Sequence, residues 1–172
     1  LTSAKMASGT QDATMQIFSG DIGDAQDVVP LAVVPIKSSL NFSIVGSTVQ
    51  PSVVTGKNIV SIPRNRIFTV RWSGTRYLPG VDGVISLTHN STTKKYRYGQ
   101  MQFRAVKTTT LGYRLEITNS VRLADEYLWG VSEVPSSWPE AALQAQAIAS
   151  RTFAMSKAGI YRASCDCDLY GE

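Results

Sequence analysis

Short runs in which apolar and polar residues alternate fill the chain from Met15 to Thr118. Examples are Ile67–Trp72 and Gln100–Val106. A period of two buries one face of a strand and leaves the other in water. Glycine-containing turn signals such as Leu111-Gly112 separate the runs. The pattern predicts antiparallel hairpins and meanders, and no repeat of about 20 to 50 residues points to a solenoid or propeller.

A helical pattern replaces the alternation after residue 121. Ala124–Trp129 combines helix formers with acidic residues, and Gly130 provides a stop, so we expect a helix of about two turns. Ser137-Trp138-Pro139-Glu140 fits a capping box and predicts a second helix from about Trp138 to Lys157. An Ala-rich stripe predicts that this helix is a buried scaffold. The stripe consists of Leu143, Ala147, Ser150 and Ala154.

These elements predict an α+β fold, in which an antiparallel, strand-rich N-terminal and central region precedes a short helix and one long Ala-rich helix. Residues 1–14 are small and polar, which predicts a disordered segment or tether. Residues 15–172 are expected to form one domain, with a strand-rich part at 15–121 and a helical part at 122–160. The longest apolar runs contain prolines and fall short of the roughly 20 residues that a membrane-spanning helix needs.

Positive charge is concentrated in the strand-rich part. Twelve basic residues lie between Val28 and Leu115 against Asp82 alone, a balance of +11. Such a surface attracts nucleic acid, acidic lipid or anionic wall polymers alike, and it is equally typical of a solvated face that keeps a protein soluble. The sequence has no RNP aromatic pattern, zinc-finger spacing or basic heptad region, so it does not predict a nucleic-acid partner.

An ordered series of motifs covers Tyr127–Ala154. It consists of Tyr-Leu-x-Gly-Val, Glu-x-Pro, Ser-Trp-Pro and Ala-Leu-x-Ala-Gln-Ala-x-Ala-x-Arg-Thr. The series resembles the signature of the SpoIID/LytB (stage II sporulation protein D) family, and the resemblance extends over roughly residues 100–170. It implies a peptidoglycan lytic transglycosylase-like domain. Such enzymes cleave the bond between N-acetylmuramic acid and N-acetylglucosamine (the MurNAc-GlcNAc bond) and leave a 1,6-anhydro-MurNAc end.

The resemblance implies that Glu133, the glutamate of Glu-x-Pro, is the general acid and base. Its apolar sequence neighbours, which include Trp129 and Trp138, are expected to desolvate the carboxyl group, raise its pKa and keep a proton on it. One carboxyl group is then enough, because the C6 hydroxyl of the sugar can take the place of water. The alternative is an exposed loop carboxylate without a catalytic role.

Four further residues are predicted to bind substrate, namely Arg151, Gln146, Trp138 and Ser137. The guanidinium of Arg151 suits a carboxylate of the substrate or of Glu133, although it could simply pair with Asp125 or Glu126. The amide of Gln146 can bond sugar groups or fix a loop.

Alternative roles apply to the tryptophans and to the acidic residues near the helices. Trp129 and Trp138 are candidate sugar platforms and equally candidate core residues. Asp125, Glu126 and Glu140 are better explained as helix-dipole and cap residues.

Two cysteines, Cys165 and Cys167, stand one residue apart, a spacing that disfavours a mutual disulfide because the ring would be strained. The resemblance implies a possible zinc site here, because some relatives hold a zinc ion near this point. Tetrahedral zinc needs about four ligands, however, and the single histidine, His89, is distant in sequence. Ordinary thiols are therefore the favoured interpretation and zinc is the alternative. The transglycosylase chemistry itself requires no cofactor.

The sequence departs from the family at Gln144, where a lysine is common, and at Glu172, where the family continues through a Gln-x-Tyr motif and further strands. The domain is therefore expected to be incomplete at its C-terminal end. The leading hypothesis is an extracellular or envelope lytic transglycosylase acting on peptidoglycan glycan strands. The alternative is a non-catalytic peptidoglycan-binding module or a modifier of a cell-wall amidase, which would act beside other cell-wall hydrolases.

Overall fold

The computed structural model describes residues 2–9, 11–21, 23, 29–131, 133–160 and 167–169. The chain divides into two compact units, Leu1–Ser120 and Val121–Glu172. The first unit is built from antiparallel strands and the second from helical segments, so the predicted α+β fold class is confirmed. The division falls where the spacing of apolar residues changes from two to the helical period.

Eleven strands are found among the described residues of the first unit. They are β1 (Thr2–Ser8), β2 (Thr14–Ser19), β3 (Ala32–Pro35), β4 (Ser38–Val45), β5 (Thr48–Thr55), β6 (Asn58–Ser61), β7 (Ile67–Trp72), β8 (Val84–His89), β9 (Thr92–Tyr96), β10 (Gln100–Thr108) and β11 (Gly112–Ser120). One sheet has the order β6-β5-β4-β1-β8-β9 and the other the order β11-β10-β7-β2-β3. Every strand pair within them is antiparallel.

The two sheets share one hydrophobic core. Phe42 of β4 and Phe103 of β10 stack across it, with ring centroids 3.9 Å apart and an angle of 8° between the ring planes. Trp72 and Met15 of the second sheet and Leu40 of the first are also fully buried. The alternation that predicted the strands therefore places one face of each sheet inside a sandwich.

The prediction that residues 1–14 form a disordered segment or tether is wrong for Thr2–Ser8, which form strand β1. Strand β1 lies inside the six-stranded sheet, where it pairs with β4 and β8. Thr2, Ala4 and Met6 are buried, so every second residue faces the core, but these residues are small or flexible. Two neighbouring strands satisfy the backbone of β1, so its low hydrophobicity does not prevent it from being ordered.

The second unit contains a short π-helical segment at Leu123–Tyr127 and one long helix, α1, at Glu140–Lys157. Both predicted helices are therefore present. The predicted capping box is wrong, because Pro139 is the N-cap residue and no side chain bonds the helix start. Since α1 begins at Glu140, that residue lies too early to reach back, and its Oε1 instead accepts a hydrogen bond from Gln144 Nε2 at 3.0 Å.

Helix α1 is much less buried than its Ala-rich stripe predicted. Only Ser150 and Ala154 are buried. Ala147 of the stripe is exposed, and the side chains of Ile148 and Met155 keep 57% and 61% of their surface in contact with solvent. The prediction of a buried scaffold helix is wrong for most of the described helix, because only a narrow strip of its surface, at Ser150 and Ala154, is buried. In the part of the chain that the structure describes, no helix has the length and apolar character to cross a membrane.

Candidate functional site

A short loop joins the two helical segments of the second unit and carries Glu133. The backbone N–H of Gly130 donates to the carbonyl of Tyr127 at 3.1 Å, which closes the short helix. At the other end of the loop, the N–H of Trp138 donates to the carbonyl of Pro135 at 3.1 Å. Turns therefore bound the loop on both sides, and proline restricts its backbone next to Glu133.

The side chain of Gln146 connects this loop to helix α1. Its Nε2 donates a short hydrogen bond to Oε2 of Glu133. The same nitrogen donates to Oγ of Ser150 at 3.1 Å, and Ser150 is buried one turn further along the helix. The amide nitrogen of Gln146 thus fixes the loop that carries Glu133 to helix α1. The sequence analysis gave this role as one of two alternatives, the other being a contact with sugar groups.

The predicted desolvation of Glu133 is wrong for the described structure. Glu133 is exposed. Trp129 and Trp138 keep 63% and 50% of their surfaces in solvent, and Val131 and Val134 are only half-buried. Apolar residues that neighbour Glu133 in sequence therefore do not close over its carboxylate, because an irregular loop points successive side chains in different directions.

Arg151 is not brought to Glu133. It follows Gln146 by five residues, which turns it by about 140° around the helix axis from the residue that holds Glu133. Arg151 is exposed, and within the described chain it forms no ion pair with Glu133, Asp125 or Glu126. The structure therefore separates this predicted substrate residue from the loop–helix contact.

A cluster at the start of the short helix was only partly predicted. Arg122 pairs with Asp125, its Nε donating to Oδ1 at 2.7 Å. The buried carboxylate of Glu126 accepts the backbone N–H of Arg122 at 2.8 Å. Glu126 therefore has the cap role that the sequence assigned it, whereas the ion pair of Asp125 was missed although its i,i+3 spacing signals it.

Ser137 and Trp138, the other two predicted substrate residues, lie in the same loop as Glu133. Ser137 is exposed and its hydroxyl has no hydrogen-bond partner among the residues that the structure describes. Half of the Trp138 surface is in contact with solvent. Neither side chain is part of the core of the second unit, so both are available to a ligand.

The cysteine predictions are corrected at Cys167, which is disulfide-bonded. A sulfur in a disulfide provides no thiolate, so the expectation of an ordinary thiol is wrong here and the residue is not a zinc ligand in this state. Cys165 lies outside the described residues. Across the described ranges, no group of three or more His, Cys, Asp or Glu side chains is arranged to hold a metal. His89 instead bonds the Thr2 hydroxyl through Nδ1 at 2.7 Å.

A comparison with known protein families found a match to the part of the chain that contains this loop. Residues 112–172 match the family model SpoIID, Stage II sporulation protein. The match starts in β11 and includes the whole second unit. The match confirms the resemblance found in the motifs for this segment, and the SpoIID family supports a function related to the cell wall. Neither the search of curated proteins nor the search of solved structures found a match to the chain.

Proposed function

We propose that the protein is a peptidoglycan lytic transglycosylase of the cell envelope or the extracellular space, with Glu133 as its general acid and base. The observation that carries this proposal is the hydrogen bond from Gln146 to the Glu133 carboxylate. It links the two most distinctive parts of the family motif, Glu-x-Pro and the Ala-Gln-Ala stretch of α1. A carboxylate in an open loop, held from one side by the protein, leaves its other side to a saccharide.

In the proposed reaction, the carboxyl group of Glu133 donates its proton to the oxygen that links MurNAc to GlcNAc, and the bond from that oxygen to MurNAc C1 breaks. The C6 hydroxyl of the same MurNAc attacks C1 and forms the 1,6-anhydro ring. Its proton passes to the Glu133 carboxylate, which restores the acid. Atoms balance without water, so a second carboxylate is unnecessary, in contrast to hydrolytic glycosidases.

Because Glu133 is exposed, its carboxyl group would be removed from water only when the substrate binds. A glycan strand lying over the loop would displace water from the carboxyl group. In this proposal Trp138 offers a ring face to a sugar and Ser137 a hydroxyl. Arg151, on a different side of α1, would reach only a remote part of the strand, such as a lactyl or peptide carboxylate.

The exposure of Glu133 also favours a second candidate function. An exposed loop carboxylate lacks the apolar surroundings that are typical of a catalytic acid. Under this alternative the protein is a non-catalytic peptidoglycan-binding module or a modifier of a cell-wall amidase, and the basic first unit contributes the binding surface.

One assay separates these functions. The purified protein is incubated with glycan strands freed of stem peptides and, in parallel, with intact peptidoglycan, and the soluble fragments are analysed by mass spectrometry. Fragments with 1,6-anhydro ends support the transglycosylase, whereas fragments with reducing ends indicate hydrolysis. Co-sedimentation with peptidoglycan without any fragment release supports the binding module.

Replacement of Gln146 by Leu is expected to lower kcat about tenfold with little change in KM, because misplacing a catalytic group costs rate rather than affinity. Gln144→Leu is the matched control, since Gln144 bonds Glu140 on an exposed part of the same helix. The measurement is the initial rate of fragment release at several glycan concentrations. A raised KM with unchanged kcat would show instead that Gln146 binds the sugar directly.

A further inference from the structure

A concavity of about 440 Å³ lies on the six-stranded sheet of the first unit. Its wall includes Lys5 of β1, Ser39 of β4 and Val54 of β5, which are register neighbours across three strands. The adjacent residues Ala4 and Leu40 are fully buried in the core. Because side chains alternate along a strand, Lys5, Ser39 and Val54 point to the opposite, solvent-facing side of the sheet.

The charged side chains that line this concavity are positive. Lys5 and Lys37 line it, and no carboxylate does so among the described residues. Both lysines are exposed, and neither takes part in the ion pairs of the described chain. Two ammonium groups at one concavity repel each other and leave a positive potential there, which a bound anion would relieve.

A hydroxyl group adds a neutral donor between the charges. The Ser39 hydroxyl donates to Oδ1 of Asn41 at 3.4 Å, a long bond that is readily exchanged for a better acceptor. The Ser38 hydroxyl is committed to that of Thr55 at 2.6 Å and serves the sheet instead. Two lysines and one serine therefore line the same concavity.

We propose that this concavity binds a phosphate group carried by a polyol or sugar. A phosphate has several terminal oxygens that can accept from both lysines and from Ser39 together, and lysine binds phosphate as a point charge. Planar recognition of a carboxylate is typical of arginine, and no arginine lines the site in the described part of the chain. The volume lies within the range of about 300–1,000 Å³ for small-ligand sites, which leaves room for the attached polyol.

This inference goes beyond the proposed glycan cleavage, because it concerns the first unit and uses no residue of the Glu133 loop. Isothermal titration calorimetry of the full chain with glycerol 3-phosphate is expected to show saturable binding, and neutral glycerol none. Lys5→Gln and Lys37→Gln should each weaken the affinity about fivefold, the upper range for one exposed ion pair. Lys107→Gln, an exposed lysine in β10 of the other sheet, is the matched control and should change nothing.

The source of the phosphate is tested with two polymers. Tighter binding of poly(glycerol phosphate) than of the monoester would identify a polymer as the ligand, whereas equal binding would identify a small phosphate. A single-stranded oligonucleotide that competes as well as glycerol 3-phosphate would overturn the proposal, since phosphates would then be bound by a general basic surface. Unchanged affinity in both lysine variants would overturn it as well. Glu133→Gln should bind like the wild type, so the two proposals fail or succeed separately.

Discussion

Replacing Glu133 with Gln is expected to reduce the release of anhydro-ended fragments at least about a hundredfold, the lower range for removal of a general acid. The amide that replaces the carboxyl group cannot donate an acidic proton to the leaving oxygen or take one back from the C6 hydroxyl. Its carbonyl oxygen can still accept the hydrogen bond from Gln146. The loop therefore keeps its attachment to α1 while the chemistry is lost, and fragment mass spectrometry measures the difference.

Glu140→Gln is the matched control for this experiment. Glu140 is an exposed glutamate of the same unit, and Gln144 donates to it much as Gln146 donates to Glu133. Its replacement should leave the rate unchanged. Retention of most of the activity in Glu133→Gln would remove this residue from the reaction and leave the binding function as the better interpretation.

The elements that the sequence predicted well are those in which one physical signal dominates. In β7 and β10, Phe68, Val70 and Phe103 are fully buried as predicted, but the polar residues Thr69 and Gln102 between them are buried as well. The helix to Lys157 was predicted because helix formers such as Ala, Leu and Gln predominate until Gly159, whose φ is +77°. Local propensity was therefore enough to predict these segments as strands and helix, whereas the burial of both faces of β7 and β10 was not predicted.

The first strand was missed because its signal depends on partners that are distant in sequence. Thr2 and Ala4 carry little hydrophobicity, and the pairing of β1 with β4 and β8 makes this segment a strand. The start of α1 was misplaced by two residues for a related reason. Ser137 and Glu140 have the spacing of a capping box, but the turn from Pro135 to Trp138 takes Ser137 out of reach of the helix start.

The candidate site shows which part of a function motif can be predicted from sequence. The motif identified Glu133 and Gln146 as important, and the structure joins them by a hydrogen bond. The environment of Glu133 was predicted wrongly, because the exposure of Trp129 and Trp138 is set by the path of the loop and not by their hydrophobicity. The motif therefore identifies the residues of the candidate site, whereas the desolvation of Glu133 depends on three-dimensional packing.

The largest stability effect is expected at the contact that joins the two sheets. Phe103→Ala should lower the free energy of unfolding by about 3–5 kcal/mol, because it removes a fully buried ring and leaves a cavity against Phe42. Urea unfolding of the full chain, followed by circular dichroism of the strands, measures this loss. Leu111→Ala, at a hairpin turn where leucine is 63% exposed, is the control and should change stability by about 0.5 kcal/mol or less. If the two variants were equally stable, the stacked pair would not be what holds the sandwich together.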